Sequence, residues 1–112
     1  MSKLPISFAC GLYDRMLPLY TGDVQPKGID LNFIAIDNPR EIFDRMAGGL
    51  EFEAAEMSSA EFISLTGAGE NPFVALPVFP SRVFRHGFIC FNRKSGIETP
   101  KDLEGKRVGV PK

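Results

Sequence analysis

Histidine, cysteine and unbroken apolar sequence are scarce in this chain, and each shortage removes a class of function. A single histidine, His86, among 112 residues excludes a metal site built from several imidazoles, so any histidine proton shuttle has to use this one. The two cysteines, Cys10 and Cys90, sit in apolar, strand-like runs and read as small core residues rather than a disulfide framework. No apolar stretch approaches the roughly 20 residues that cross a bilayer. The opening Met1-Ser2-Lys3-Leu4-Pro5-Ile6 has no apolar h-region or cleavage site. A cytoplasmic chain with no membrane partner is expected. Charge of one sign is also missing: 13 Lys and Arg stand against 14 Asp and Glu, which gives no general attraction to polyanions and argues against nucleic acid. Gly105 to Gly109 lacks the Gly-x-Gly-x-x-Gly and Walker spacings, so no nucleotide site is expected.

What is present is enough for one modest core: 44% hydrophobic and 24% charged residues are ordinary for a globular domain. Leu4, Ile6, Phe8 and Cys10 alternate with small residues up to Gly11, as a strand does. Met16, Leu17 and Tyr20 have helical spacing, limited by Pro18. Asp30 to Ile36 is apolar on both faces, as a strand covered on both sides should be. Asn38, Pro39 and Glu41 then form a helix start with a cap, a first-turn proline and a capping-box acid. That helix buries Ile42, Phe43, Met46, Ala47 and Leu50 and frays at Gly48-Gly49. A short strand over 52–57 leads to a second capping box, Ser58 with Glu61, and a helix ending at Gly67 or Gly69. Further strands are predicted over 73–79, 86–92 and 107–110, with a capped helix from Thr99 to Gly105. Strands alternating with helices predict an α/β fold with a mostly parallel sheet flanked by helices.

Several blocks together resemble a known family. They are Phe8-Ala9-Cys10-Gly11-Leu12-Tyr13-Asp14-Arg15, Tyr20-Thr21-Gly22, Gly28-Ile29-Asp30-Leu31, Phe43-Asp44-Arg45-Met46 and Ala55-Glu56-Met57-Ser58. Pro77-Val78-Phe79-Pro80-Ser81-Arg82, Phe84-Arg85-His86 and Gly105-Lys106-Arg107-Val108-Gly109-Val110-Pro111 complete the set. In order and spacing the chain resembles 4,5-dihydroxyphthalate decarboxylases and their substrate-binding relatives. The resemblance implies the first lobe of a type II periplasmic-binding-protein-like fold, with ligand held between two lobes. It implies a first α/β lobe over 1–92 and a hinge with the start of a second lobe over 93–112, most of that lobe being missing. The abrupt end at Val110-Pro111-Lys112 also fits a strand-swapping homo-oligomer.

In open α/β sheets ligands bind outside the carboxyl ends of the strands, which directs attention to Tyr13, Arg15, Glu56, Ser58, Ser59, Ser81, Arg82, Arg85 and His86. A dicarboxylated ring calls for guanidinium forks, and Arg82 and Arg85 are the natural pair, with Arg15 a third. Ser58 can cap its helix while the helix amides, with Ser59, receive an anion. Tyr13 can stack on an aromatic ligand or donate its hydroxyl, or it can simply pack. In 4,5-dihydroxyphthalate each carboxylate is para to a hydroxyl. Deprotonating that hydroxyl and protonating the carboxyl-bearing carbon gives a ketone-like intermediate that loses carbon dioxide, so one acid, one base and fixed positive charge suffice without a cofactor or metal. His86 and Glu56 are the candidates for acid and base; Glu56 can equally hold an arginine or backbone amides. A non-catalytic solute-binding protein for a small aromatic or aliphatic carboxylate would use the same arginines and helix N-termini.

Overall fold

A computed structural model describes residues 2–110 and divides the chain into two compact units, 1–82 and 83–112. The first unit is α/β. Strand β1 (Leu4–Cys10) is central, flanked by β2 (Ile29–Ala35) and β3 (Ala54–Ala55) in the order β2-β1-β3, and both pairings are parallel. Register runs from Leu4 opposite Ile29 to Cys10 opposite Ala35, and Phe8 and Ala9 lie opposite Ala54 and Ala55.

The sequence explains each connection. After β1 a 3-10 turn (Asp14–Met16) runs into α1 (Leu17–Thr21), with Pro18 tolerated in its first turn and Gly22 closing it at φ 83°. Helix α2 (Pro39–Gly49) starts where Asn38 accepts a hydrogen bond from Arg40 N at 3.1 Å. Its acid at Glu41 bonds forward to Arg45 (3.1 Å) instead of back to the cap. Gly48 and Gly49 stay helical, contrary to the fraying their sequence predicts. The left-handed cap falls on Leu50 (φ 50°), whose N–H bonds back to Arg45 and Met46 carbonyls. A left-handed conformation costs a β-carbon-bearing residue about 1–2 kcal/mol. Helix α3 (Ser59–Ala68) begins at Ser58, whose hydroxyl accepts from Glu61 N at 3.4 Å, and it ends at Gly69 with φ 73°.

The core lies between the sheet and α2. Ala9, Ile42 and Phe52 are buried there, and Ile34, Ile36, Phe43, Met46 and Ala55 pack around them. Elsewhere on the sheet the registered pair Phe8 and Phe33 meets edge to face at 5.2 Å, and Tyr20 closes on Phe33 at 5.6 Å; such aromatic pairs contribute about 1 kcal/mol beyond their burial. The predicted strand over 52–57 is laddered only at Ala54–Ala55. Side chains continue the pairing beyond it: Glu53 accepts from Ser7 N at 2.7 Å and from the Ser7 hydroxyl, which in turn accepts from Glu53 N at 3.2 Å.

The strands predicted over 73–79, 86–92 and 107–110 do not form among the described residues. A parallel strand exists only when another strand takes up its backbone groups, and these segments have none. Their apolar side chains stand in solvent, Val74 at 91% and Val110 at 79% exposure, and Pro77 removes a ladder donor. Within the second unit Arg85–Phe88, Arg93–Ser95 and Pro100–Leu103 are 3-10 turns. The predicted helix from Thr99 is the last of these, and its capping box is formed, with Thr99 and Asp102 bonded reciprocally.

Candidate functional site

The strand order β2-β1-β3 means that the chain leaves β1 towards one side and returns to its other side, so a switch point lies between β1 and β3. At such a point the loops at the carboxyl ends diverge and leave a crevice. Gly11 and Tyr13 follow β1 there, and Glu56 follows β3. Glu56 N donates to Ala9 O at 3.0 Å, which carries the β1–β3 pairing one residue further.

Glu56 is buried, with 7% exposure. Its Oε1 accepts from Gly11 N at 2.7 Å, and its Oε2 accepts from the Tyr13 hydroxyl at 3.0 Å, with Oε1 3.3 Å from the same hydroxyl. The carboxylate therefore ties the ends of two strands together across more than 40 residues of sequence. A buried carboxylate is tolerated only with such donors. Gly11 leaves little room beside Tyr13: a β-carbon at position 11 would lie 3.0 Å from the tyrosine ring.

The surroundings bear the mark of this charge. The Tyr13 phenol is held above its ordinary pKa of 10.0, first by burial, then by its hydrogen bond to Glu56 and by the Glu56 charge, with the Ser81 side chain opposing the shift. The Cys10 thiol is pushed up to about 12 by burial and by Glu56, partly offset by the Gly11 N–H. Cys10 is fully buried and inert in kind, a core residue as its sequence context predicts. Cys90 is the exception to that expectation: it is exposed and lies in no strand.

Arg15 lies over the Tyr13 ring, 5.7 Å from its centroid, and donates to Pro80 O at 2.5 Å. This bond brings the loop carrying Ser81 and Arg82 to the end of β1. Arg82 is exposed and donates its Nε–H to Phe79 O at 3.0 Å. Ser58 is half-buried and Ser59 exposed at the start of α3, immediately beyond Glu56. Tyr13, Arg15, Glu56, Ser58, Ser59, Ser81 and Arg82 thus all belong to the first unit. Arg85 and His86 belong to the second, where both are exposed; Arg85 lies over Phe88 at 5.4 Å and His86 beside Phe84 at 6.1 Å. Among the described residues no group of three or more His, Cys, Asp and Glu side chains is arranged to hold a metal. None of their helices is long and apolar enough to cross a membrane.

In the sequence Gly11 marks only the end of the first strand. A glycine two residues before a tyrosine at a strand end was the available signal, since close backbone approach is a common reason for glycine there.

Parallel strands with flanking helices define an α/β protein, and the residues that follow β1 and β3 stand where such sheets place their ligands. Comparison of the sequence then narrows the class. No family model matches the chain. It is 47% identical over 111 residues to a 4,5-dihydroxyphthalate decarboxylase of Comamonas testosteroni, covering 99% of this chain and 33% of that protein. It is 44% identical over 111 residues to a 4,5-dihydroxyphthalate decarboxylase of Pseudomonas putida, covering 99% of this chain and 43% of that protein. Nearly the whole chain is therefore similar to a part of each of these decarboxylases, and it spans less than half the length of these curated relatives.

Proposed function

We propose that the chain carries one part of a decarboxylase site for hydroxylated aromatic dicarboxylates of the 4,5-dihydroxyphthalate type. The observation that carries this reading is the 47% identity to a decarboxylase of that substrate across 111 residues. The polar side chains that follow β1 and β3, Tyr13 and Arg15 with Glu56, Ser58 and Ser59, support it. On this reading Arg82, Arg85 and Arg15 take the ring carboxylates, because guanidinium forks match carboxylates with paired charge-assisted hydrogen bonds. The first amides of α3, with Ser58 and Ser59, add a second anion-receiving group. The hydroxyl para to the departing carboxylate loses its proton, the carboxyl-bearing carbon gains one, and the C–C bond electrons pass into the ring as carbon dioxide leaves. His86, exposed, carries a proton in this scheme, whereas Glu56 is buried and holds Tyr13. The chemistry calls for no electron sink beyond the ring itself. Both cysteines are unpaired, which suits a reducing compartment, and the cytoplasm is the setting we propose.

The test is carbon dioxide release from 4,5-dihydroxyphthalate by the purified protein, with Arg82→Ala and His86→Ala in parallel. The reading expects release that falls at least about tenfold in each variant. No release from folded protein contradicts the lyase function, and equal rates in all three contradict the assigned residues.

A further inference from the structure

The direction of one hydrogen bond decides what the crevice can recognise. A tyrosine hydroxyl has a single proton and lone pairs that accept, while a carboxylate has acceptors only. Glu56 is fixed by Gly11 N–H at 2.7 Å, and Tyr13 lies 3.0 Å from its Oε2. The bond between them can therefore run only from Tyr13 to Glu56. With its proton directed inward, the Tyr13 oxygen has nothing left to donate.

We infer that Tyr13 is a specificity-determining residue that accepts a hydrogen bond from a ring hydroxyl of the ligand, and that Glu56 is the positioning residue that sets this polarity. This inference rests on the proposed aromatic dicarboxylate site and names which part of the ligand is read there. A carboxylate oxygen or a ring carbonyl facing Tyr13 would meet an acceptor and be repelled; a phenolic O–H would be bonded. The arginines then read the carboxylate end, and Tyr13 reads the hydroxylated end.

Glu56→Gln offers a sharp control. The glutamine oxygen can remain on Gly11 N–H, which places its amide NH2 where Oε2 stood, facing Tyr13. That amide donates, so the tyrosine proton is released to point outwards and Tyr13 turns from acceptor to donor. A role for Glu56 in folding alone would not exchange ligand preference in this way.

The experiment follows binding of phthalate and of 4,5-dihydroxyphthalate to the full chain by NMR of 13C-labelled tyrosine. There are two tyrosines, so Tyr20, packed on Phe33, serves as an internal reference. One neutral hydrogen bond corresponds to a preference of about three- to tenfold. Wild-type protein is expected to bind the dihydroxylated compound tighter by that factor, with a shift at Tyr13 and none at Tyr20. Tyr13→Phe is expected to bring the two affinities together by weakening only the dihydroxylated compound, and Glu56→Gln to lose or reverse the preference. Equal wild-type affinities for the two compounds would overturn the inference and leave the dicarboxylate site standing, and this arm needs no variant to fold. A preference that persists in Tyr13→Phe would overturn it in the same way. Binding of neither compound would overturn the site and the inference together.

Discussion

The Tyr13 hydroxyl stands 3.0 Å from Glu56 Oε2, joining residues that follow the neighbouring strands β1 and β3. Glu56 is at once the clamp between two strand ends and the group that fixes the polarity of the Tyr13 hydroxyl. Its burial makes both effects strong, because a hydrogen bond removed from such a carboxylate is not replaced by water.

Gly11→Ala tests how tightly this arrangement is packed. The added methyl would sit 3.0 Å from the Tyr13 ring, so the ring has to move or the loop has to shift. Overpacking of this kind costs about 1–3 kcal/mol. Chemical denaturation should show that loss, and the Tyr13 resonances should move while those of Tyr20 stay in place.

The edge beside β3 carries an acid-sensitive bond. Hydrogen bonds from the Ser7 hydroxyl and Ser7 N hold the Glu53 carboxyl below its ordinary value of 4.5. A depressed native pKa adds stability that is present above the unfolded value and lost as pH falls through the native one. Ser7→Ala removes the largest of these bonds. Urea midpoints measured from pH 6 to pH 3 should therefore fall less steeply in Ser7→Ala than in wild type.

Much of the first unit was legible because its signals are local. Alternation marked β1, the Asn38-Pro39 start marked α2, and Ser58 marked α3, each within a few residues of the observed bounds. The helix end at Leu50 was not, since Gly48 and Gly49 advertise a cap that the backbone places one residue later. The strands predicted after residue 72 had the right apolar composition, but strand formation depends on a partner that no local pattern encodes. The same limit applies to the candidate site. Tyr13 and Glu56 were both singled out by position at strand ends, yet their bond depends on the parallel pairing of β1 with β3. Gly11 read only as the end of the first strand, because the ring it accommodates is visible only in three dimensions.

The two thiols should differ sharply in reactivity. Cys10 is fully buried with its pKa raised to about 12, and Cys90 is exposed. Thiolate is the reactive form, so an aromatic disulfide reagent at pH 8 should label Cys90 rapidly and Cys10 only through opening of the fold. Two equal fast phases would contradict the burial of Cys10. Because the native thiol pKa lies above the ordinary 9.0, its contribution to stability is complete below pH 9 and is lost as pH rises from there towards 12.

The bond between Tyr13 and Glu56 is open to direct titration. The 13C resonance of the Tyr13 phenol carbon, followed from pH 8 to pH 12.5 in wild type and in Glu56→Gln, should show wild-type Tyr13 ionising above 10.0, the value for an unperturbed tyrosine. In Glu56→Gln the midpoint should fall, because the charge and the acceptor that hold the proton are gone. A wild-type midpoint at 10.0, or a midpoint that does not move on substitution, would contradict the claim that the Glu56 carboxylate holds Tyr13.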